Sequence, residues 1–574
     1  MVKINTMKKL RWQFVIILLT GLVVGILLIS QQPAAVISSG GQPQVQPTAA
    51  PATGGLYTEA LVGSFMRLNP LLDVYNPADR DVDRLLYSHL INFDATGNPQ
   101  PDLAESWGIS KDGTLFNISL RSDAKWHDGK PVTAADVVFT IDLLRSDASL
   151  TPDDVKAFWQ EVEVKKLSDT QIQFLLPEAY APFLERLNFG ILPEHLLSGV
   201  TFDQLIDDPF NLSPVGSGPY QLERLLVEDA RITGVVLKIN PSYYKAKPFI
   251  DQIVFRYYES AEDAWEAYKA GEVQGFGEVS DSILDKVLAD KGLATHTGLR
   301  PQLSLIYLNL NNAEVPFFQD AVLRQAMMMS LNRQRMVDTA LNGQGVLANG
   351  PILPGSWAYS RKVKPVSFDR QAAKDLLEEA GYKLDPEQGL TTKEGLPVDF
   401  ELLYPDDLVH EALAGAIQKD LLALGITVTI TPRSYETLIS ESLTQRAYQA
   451  ALVEINLSNA PDPDPYPLWD ASQATDGQNY AQWNNRDAST YLEQARITVD
   501  PGERIRLYHN FQVVFAKELP ALPLYYPVYT YAITRDVQGV TMGALFDRSE
   551  RFLNVANWYL VAKHTASATA TSKP

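Results

Sequence analysis

Between residues 413 and 430 a helix pattern runs directly into a strand pattern, and this pairing limits the available folds more than any other stretch of the chain. Leu413, Ile417, Leu421 and Leu424 recur at i, i+4, i+8 and i+11, which puts them on one helical face. Gly425 follows, a residue that ends a helix in the left-handed conformation at little cost. After it comes the β-branched run Ile426-Thr427-Val428-Thr429-Ile430. A helix feeding a strand is half of the unit from which α/β sheets are wound. Thr133 and Asp136 have capping-box spacing ahead of Val137, Ile141 and Leu144. Ser260 and Asp263 repeat the device before Trp265 and Tyr268, with Gly271 closing that helix, and a third helix carries Ala373, Leu376, Leu377 and Ala380 before Gly381. Strands are predicted at 115–120, 171–176, 235–239, 252–257, 303–308, 398–403 and 522–533. No solenoid-length period is visible, so the class is mixed α/β with more than one sheet.

A chain of 574 residues holds several packed units. Its 49 basic and 69 acidic residues leave a net charge of −20, which argues against a polyanion such as nucleic acid as partner. With no cysteine there are no disulfides, thiolate metal sites, cysteine nucleophiles or lipidated cysteine.

The first residues read as an address. Lys3, Lys8, Lys9 and Arg11 form a basic segment (1–11) ahead of residues 12–29, which are apolar except for Gln13 and Thr20. At ~1.5 Å per residue that stretch covers ~27 Å, close to the hydrocarbon thickness of a bilayer, and the positive flank belongs on the cytoplasmic side. The stretch is expected to be a membrane anchor or a signal segment, with the anchor favoured because the small-residue site for cleavage is poor. Residues 30–55, built mainly of Gln, Pro, Ala, Ser, Gly and Thr, are expected to be a disordered linker, and residues 564–574 a disordered tail.

Tests for catalysis find no support. The seven histidines, at 89, 127, 195, 296, 410, 509 and 564, form no close ligand pair, and His410-Glu411 lacks a second histidine. There is no phosphate-binding glycine loop. Gly216-Ser217-Gly218, followed by Pro219 and Tyr220, reads as a turn into a strand. Asp462-Pro463-Asp464-Pro465-Tyr466 is superficially like a calcium loop, but its prolines stiffen it and the glycine such a loop needs is missing. No metal, no cofactor and no enzymatic activity are expected.

A series of longer segments is more informative. Pro101-Asp-Leu-Ala-Glu-Ser-Trp107, Lys111-Asp-Gly113 and Lys125-Trp-His-Asp-Gly-Lys-Pro131 are followed in order by Gly216-Ser-Gly-Pro-Tyr220, Asn240-Pro-Ser-Tyr-Tyr244, Ile250-Asp-Gln-Ile-Val-Phe255, Phe318-Gln-Asp320 and Leu376-Leu-Glu-Glu-Ala-Gly381. This series resembles the family 5 solute-binding proteins of ABC importers, the oligopeptide, dipeptide and nickel group. The resemblance implies a two-lobed periplasmic-binding-protein-like α/β fold with an extra subdomain inserted in lobe I. Lobe I would comprise 56–82, 205–300 and 525–563, the insert 83–204, and lobe II 301–524, with the hinge at the crossings near Arg300 and Tyr526. Such proteins bind by closure, because only the closed state contacts the solute from both sides.

Site residues are carried over from the same resemblance. The segment ending Tyr75-Asn76-Pro77 corresponds to a lobe-I loop that lines the cleft in the nickel branch, which makes Tyr75 and Asn76 candidates, with a local turn as the alternative reading of Asn76-Pro77. The peptide branch carries a Trp-x-x-Asp-x-x-Asp-Pro pattern whose first carboxylate receives the peptide ammonium. The corresponding stretch here runs from Ser458 through Asn459 to Asp462, Asp464 and Pro465, with Ser458 where the Trp would be and Asp462 one residue too close to the Asp-Pro. Asp462 and Asn459 are the candidates there, the alternative for Asp462 being a solvated, proline-stiffened turn. Phe158 and Trp159 are candidates for an aromatic wall, although packing competes as their use. In the nickel branch an arginine of the insert meets a carboxylated metal carrier, and Asn188-Phe189-Gly190 lies near that place without an arginine. The expected function is a monomeric, membrane-tethered, extracytoplasmic receptor that passes a short peptide to an ABC permease. The alternatives are an oligosaccharide or other small polar solute on the same scaffold, and, from a different class, a secreted hydrolase.

Overall fold

The computed structural model describes residues 53–457 and 461–561. The expected basic segment, anchor and tail, nearly all of the linker, and Asn459 lie outside the described residues. Among the described residues no helix is long and apolar enough to cross a membrane.

The helix–strand half-unit is completed by the strand before it. Asp399–Pro405, the helix Leu408–Leu422 and the strand Thr427–Arg433 form a crossover in which the two strands pair in parallel. Asp407 starts the helix by accepting the N–H groups of Val409 and His410, and Gly425 follows it at φ 87°. Leu413, Ile417, Leu421 and Leu424 are all buried in one core.

These strands belong to a 12-stranded sheet. From one edge, Thr427–Arg433, Asp399–Pro405, Ala450–Asn456 and Gln302–Leu308 lead to Ala521–Thr534, and Gly275–Phe276, Leu56–Val62, Gln252–Tyr258, Arg231–Ile239 and Tyr220–Glu228 continue to the other edge. Gln302–Leu308 is apolar on both faces, with Ile306 and Leu308 in one core and Leu305 and Tyr307 in another. The apolar run Leu305 to Leu308 therefore reflects burial from two sides.

Ala521–Thr534 is shared by both halves of the sheet. Its first residues, Ala521 to Tyr525, pair with Gln302–Leu308, and Val528 to Thr534 pair with Leu293–Leu299. Proline cannot donate to a ladder, so its positions here carry meaning. Pro523 sits where the register shifts between Ser304 and Leu305, and the Pro527 carbonyl accepts the Arg300 N–H at 2.8 Å. The two crossings expected near Arg300 and Tyr526 are thus side by side.

A second, antiparallel sheet of four strands (Ala104–Ile109, Leu115–Leu120, Gln171–Leu175, Glu163–Ser168) has its own core around Trp126, Trp159 and Phe183, running from Leu90 to Ile191. The expected boundary at residue 83 falls inside one helix, Pro77–Leu86, whose Leu85 and Leu86, with Tyr87 after them, pack in the core of the large sheet. Gly216 and Gly218 do more than turn the chain. A Cβ at either would collide with the carbonyl of Leu86 or Leu85, and the Gly218 N–H donates to the Leu86 carbonyl at 2.8 Å.

The three parts of the first half meet at a buried guanidinium. Arg551 donates to Glu59 at 2.6 Å and to Asp81 at 2.7 Å, and all three side chains are fully buried. Tyr57 and Tyr531 also donate to Glu59, at 2.6 and 2.8 Å. Arg548 pairs with Asp81 at 3.0 Å and with Glu278 at 3.2 Å, and Glu278 pairs in turn with Arg300 at the crossing. Removing one partner of such a network strands the others without water. Arg551→Met should therefore cost about 3–5 kcal/mol, read as a lowered midpoint in urea unfolding, with Arg551→Lys retaining part of the loss.

Candidate ligand-binding site

The helix Pro77–Leu86 organises the charged centre of the molecule. Asn76 caps it, accepting from the Ala78 and Asp79 N–H groups, and Pro77 occupies its first turn, where no donor is needed. Val82, Leu85 and Leu86 bury its apolar face, and three aspartates are interleaved with them.

The three aspartates have different surroundings. Asp79 accepts from the N–H groups of Met66 (2.9 Å) and Arg67 (2.8 Å), from the Asn76 amide (2.7 Å) and from the Tyr257 hydroxyl (3.1 Å). Burial nevertheless pushes its carboxyl up to about 6. Asp81 is held by Arg551 and Arg548. Asp83 is 2% exposed, and neither of its oxygens accepts a hydrogen bond. The Asn69 N–H lies near enough to favour its ionised form but short of hydrogen-bond geometry. Burial, reinforced by Asp73 and Asp79, pushes the Asp83 carboxyl well up.

Asp83 lines a cavity of about 290 Å³. Asp73 and Val74 enter its wall from the loop before the helix, and Arg80 and Arg84 from the helix itself. Trp159 comes from the helix Asp153–Glu161, Glu185 and Arg186 from the turn Ala181–Leu187, and Asp547 and Glu550 from the C-terminal segment. Carboxyl groups outnumber guanidinium groups in this wall. Arg80 is spent on Asp547 (2.9 Å), on Asp73 (3.3 Å) and on the carbonyls of Asp73 and Val74. Arg84 donates to His89 and to Asn92. Arg186 lies over the Phe158 ring, its Nε without a partner. His89, buried and close to Arg84, is pushed down to about 3 and stays neutral, bonded to Asn188 at 2.7 Å. Burial and the neighbouring Asp462 push Glu185 well up.

The expected site residues divide. Trp159 is buried in the cavity wall, with Phe158 half-buried behind it at a ring distance of 5.6 Å. Asn76 is used up as a helix cap that also donates to the Ser64 carbonyl, which is the local-turn alternative. Tyr75 is 79% exposed, and neither it nor Asn76 lines the cavity. Asp462 is 7% exposed and does not sit in a solvated turn. Its carboxylate takes Arg504 at 2.5 Å and the Tyr508 hydroxyl at 3.1 Å, and its N–H donates to Glu185 at 3.1 Å, next to the cavity. Arg504 in turn lies over the Trp357 ring at 5.1 Å.

Sequence reasoning passed over Asp83, Glu185, Arg186 and the pair Asp73–Arg80. One local signal was available for the first: Asp79, Asp81 and Asp83 alternate within a helix whose remaining residues are largely buried. Asp73 and Arg80 meet locally, seven residues apart, whereas Glu185 and Arg186 reach the same wall from the turn Ala181–Leu187 of the insert.

Comparison with known proteins agrees with this architecture. A family model described as bacterial extracellular solute-binding proteins, family 5 Middle, matches residues 98–478. The oligopeptide-binding protein AppA of Bacillus subtilis (strain 168) is 27% identical over 523 residues, covering 89% of this chain and 92% of that protein. The dipeptide-binding protein of Escherichia coli (strain K12) is 27% identical over 485 residues, 80% of this chain and 87% of that one. The solved structure of the B. subtilis protein in complex with a nonapeptide superposes with a TM-score of 0.62 at 26% identity, covering 89% of this chain and 100% of that chain.

The buried carboxyls also set a pH dependence. Burial raises Glu550 to about 7 and Asp79 to about 6. Between the ordinary carboxylate range and these values the folded state keeps protons that the unfolded chain has released. Stability is therefore greatest below that window and falls as pH rises through it. Glu550→Gln keeps an acceptor for the Phe546 N–H and should flatten the decline. Melting curves from about pH 4.5 to about pH 7.5 read the difference, and a slope equal to that of the unsubstituted protein would rule out Glu550 as a source.

Proposed function

The chain belongs to the bacterial extracellular solute-binding proteins of family 5, and we propose that it captures a short peptide and delivers it to the permease of an ABC importer. The observation that carries this reading is the cavity beside Pro77–Leu86. An indole and a mixture of carboxyl and guanidinium groups line it, which suits a solute with charged ends and a side chain between them. Its volume of about 290 Å³ lies at the small end of ligand pockets, ~300–1,000 Å³, and favours two or three residues over longer peptides. The names of the oligopeptide- and dipeptide-binding relatives support the peptide class.

In this reading 56–82, 205–300 and 525–563 form one lobe carrying 83–204 as an insert, and 301–524 form the other. The lobes turn about the paired crossings near Arg300 and Tyr526. Asp462 and Arg504 approach the cavity from the second lobe through Glu185, Trp159 walls it with Phe158 behind, and Tyr75 stands in solvent beside it. Residues 12–29 hold the monomeric receptor at the outer face of the cytoplasmic membrane, and residues 30–55 act as its leash.

Titration calorimetry with di- to pentapeptides and with oligosaccharides tests the ligand class. Di- and tripeptides should give the largest heats and a decrease in the radius of gyration by X-ray scattering. Absence of heat and of compaction with every peptide would remove the peptide reading, and heat with the sugars alone would replace it. For the tether, the full chain should sediment with membranes and a chain starting at residue 53 should not.

A further inference from the structure

We propose that Glu185 latches the protein shut: protonated, it ties residues 83–204 to residues 301–524, and ionised, it lets them part. This goes beyond the choice of ligand and rests only on the reading of those stretches as parts of opposed lobes. They already touch along a short seam. The Trp357 N–H donates to the Thr96 carbonyl at 2.8 Å, and the Asp462 N–H donates to Glu185 at 3.1 Å. Arg496 lies over the Tyr180 ring at 5.3 Å. Gly97, at φ 87°, has room for hydrogen alone, since a Cβ there would stand 2.6 Å from the Pro461 carbonyl oxygen. All of these are contacts of the protein with itself, so the closed arrangement has a hold that no solute supplies.

Glu185 is the carboxyl of this seam that lacks a cation. Asp462 has Arg504 at 2.5 Å and the Tyr508 hydroxyl at 3.1 Å, and Asp464 has Arg496 at 3.1 Å, whereas Glu185 forms no ion pair among the described residues. Arg186, its neighbour in the turn, lies over the Phe158 ring, donates to the Tyr180 hydroxyl at 3.4 Å, and faces Asp154 of the helix Asp153–Glu161. Across the cavity Arg80 is taken by Asp73 and Asp547 and Arg84 by His89 and Asn92, and Asp83 and Glu550 add two more carboxyl groups. Removal from water, with Asp462 and Asp464 alongside, pushes the half-buried Glu185 well up while the seam is closed. Parted from those aspartates and rewetted, it returns toward the ordinary carboxylate range. The closed arrangement thus keeps a proton that the open one releases. Closure is therefore favoured below that window and weakens as pH rises through it, by about tenfold per pH unit. Burial also raises Asp464, but Arg496 opposes that shift, which leaves Glu185 the larger source.

The chain has no cysteine, so spin labels on Leu167→Cys and Glu493→Cys, both exposed positions, read the gap across the seam by pulsed electron paramagnetic resonance in the ligand-free full chain. At about pH 5 a short distance should dominate, and a longer one should grow toward about pH 8. Glu185→Gln, which keeps an acceptor for the Asp462 N–H but cannot ionise, should lose most of that drift. Glu185→Ala removes the acceptor, and Gly97→Asn tolerates the left-handed turn but puts a Cβ against Pro461. Both should show the longer distance at both ends of the range. No drift in the unsubstituted protein, the same drift in Glu185→Gln, or a short distance retained in both Glu185→Ala and Gly97→Asn overturns the latch. A short distance in every variant at every pH removes the two-lobed reading as well. A long distance throughout that shortens only when Ala-Phe is added leaves that reading standing and removes the latch alone.

Discussion

A fully buried arginine between two fully buried carboxylates is the interaction on which the first half of the molecule depends. Arg551 joins the opening strand through Glu59, the helix Pro77–Leu86 through Asp81, and its own C-terminal segment. Desolvating three charges is expensive, and only close geometry with additional donors offsets it. Both conditions are met: the contacts are 2.6 and 2.7 Å, and Tyr57 and Tyr531 supply further hydrogen bonds to Glu59. Through Arg548 and Glu278 the same network reaches Arg300, where the chain crosses between the halves of the large sheet. The ionic core and the crossing are thus one connected object.

The cavity is built on the same helix, and it inverts the logic of that core. Where Asp81 is held by two arginines, Asp83, half a turn further on, is buried without an ion pair. The walls around it are fixed. Asp79 ties the preceding loop down through the Met66 and Arg67 N–H groups, Arg80 clasps the C-terminal segment at Asp547, and Trp159 is packed by its own aromatic cluster. In the proposed reading, a cavity held this way has its charges in place before any solute arrives, which spares the ordering cost that a loose site would bear on binding.

Sequence and structure agree most closely where the signal is local. The helix ending before Gly425 and the strand after it, the capping box at Thr133 and Asp136, and the long apolar run through Ala521–Thr534 could all be read because period, cap and terminator lie within a few residues of one another. Agreement fails where a residue's role is set by something distant. Gly216-Ser217-Gly218 carries a turn signature, yet its glycines are needed because the carbonyls of Leu85 and Leu86 lie against them. Asp462, whose alternative reading is a solvated turn, is instead buried, because Arg504 and Tyr508 reach it from a later helix. Asn76 is the reverse case: an asparagine before a proline at a helix start is a cap by purely local rules, and it caps the helix Pro77–Leu86. Asp83 alternates with Asp79 and Asp81 in the sequence, but its burial is set by segments distant from it.

The order of the strands has a consequence for biogenesis. Glu59 meets Arg551 across 492 residues of sequence, and the strand that joins both halves of the large sheet is among the last to be synthesised. Until that strand emerges, Gln302–Leu308 lacks one neighbour, Leu56–Val62 and Gly275–Phe276 have no link to the other half, and Glu59 and Asp81 have no cation. Contacts of such long range form late and slowly, because chain closure must precede them. The two halves of the large sheet are therefore joined, and the buried Glu59 and Asp81 paired, only once the end of the chain has been made.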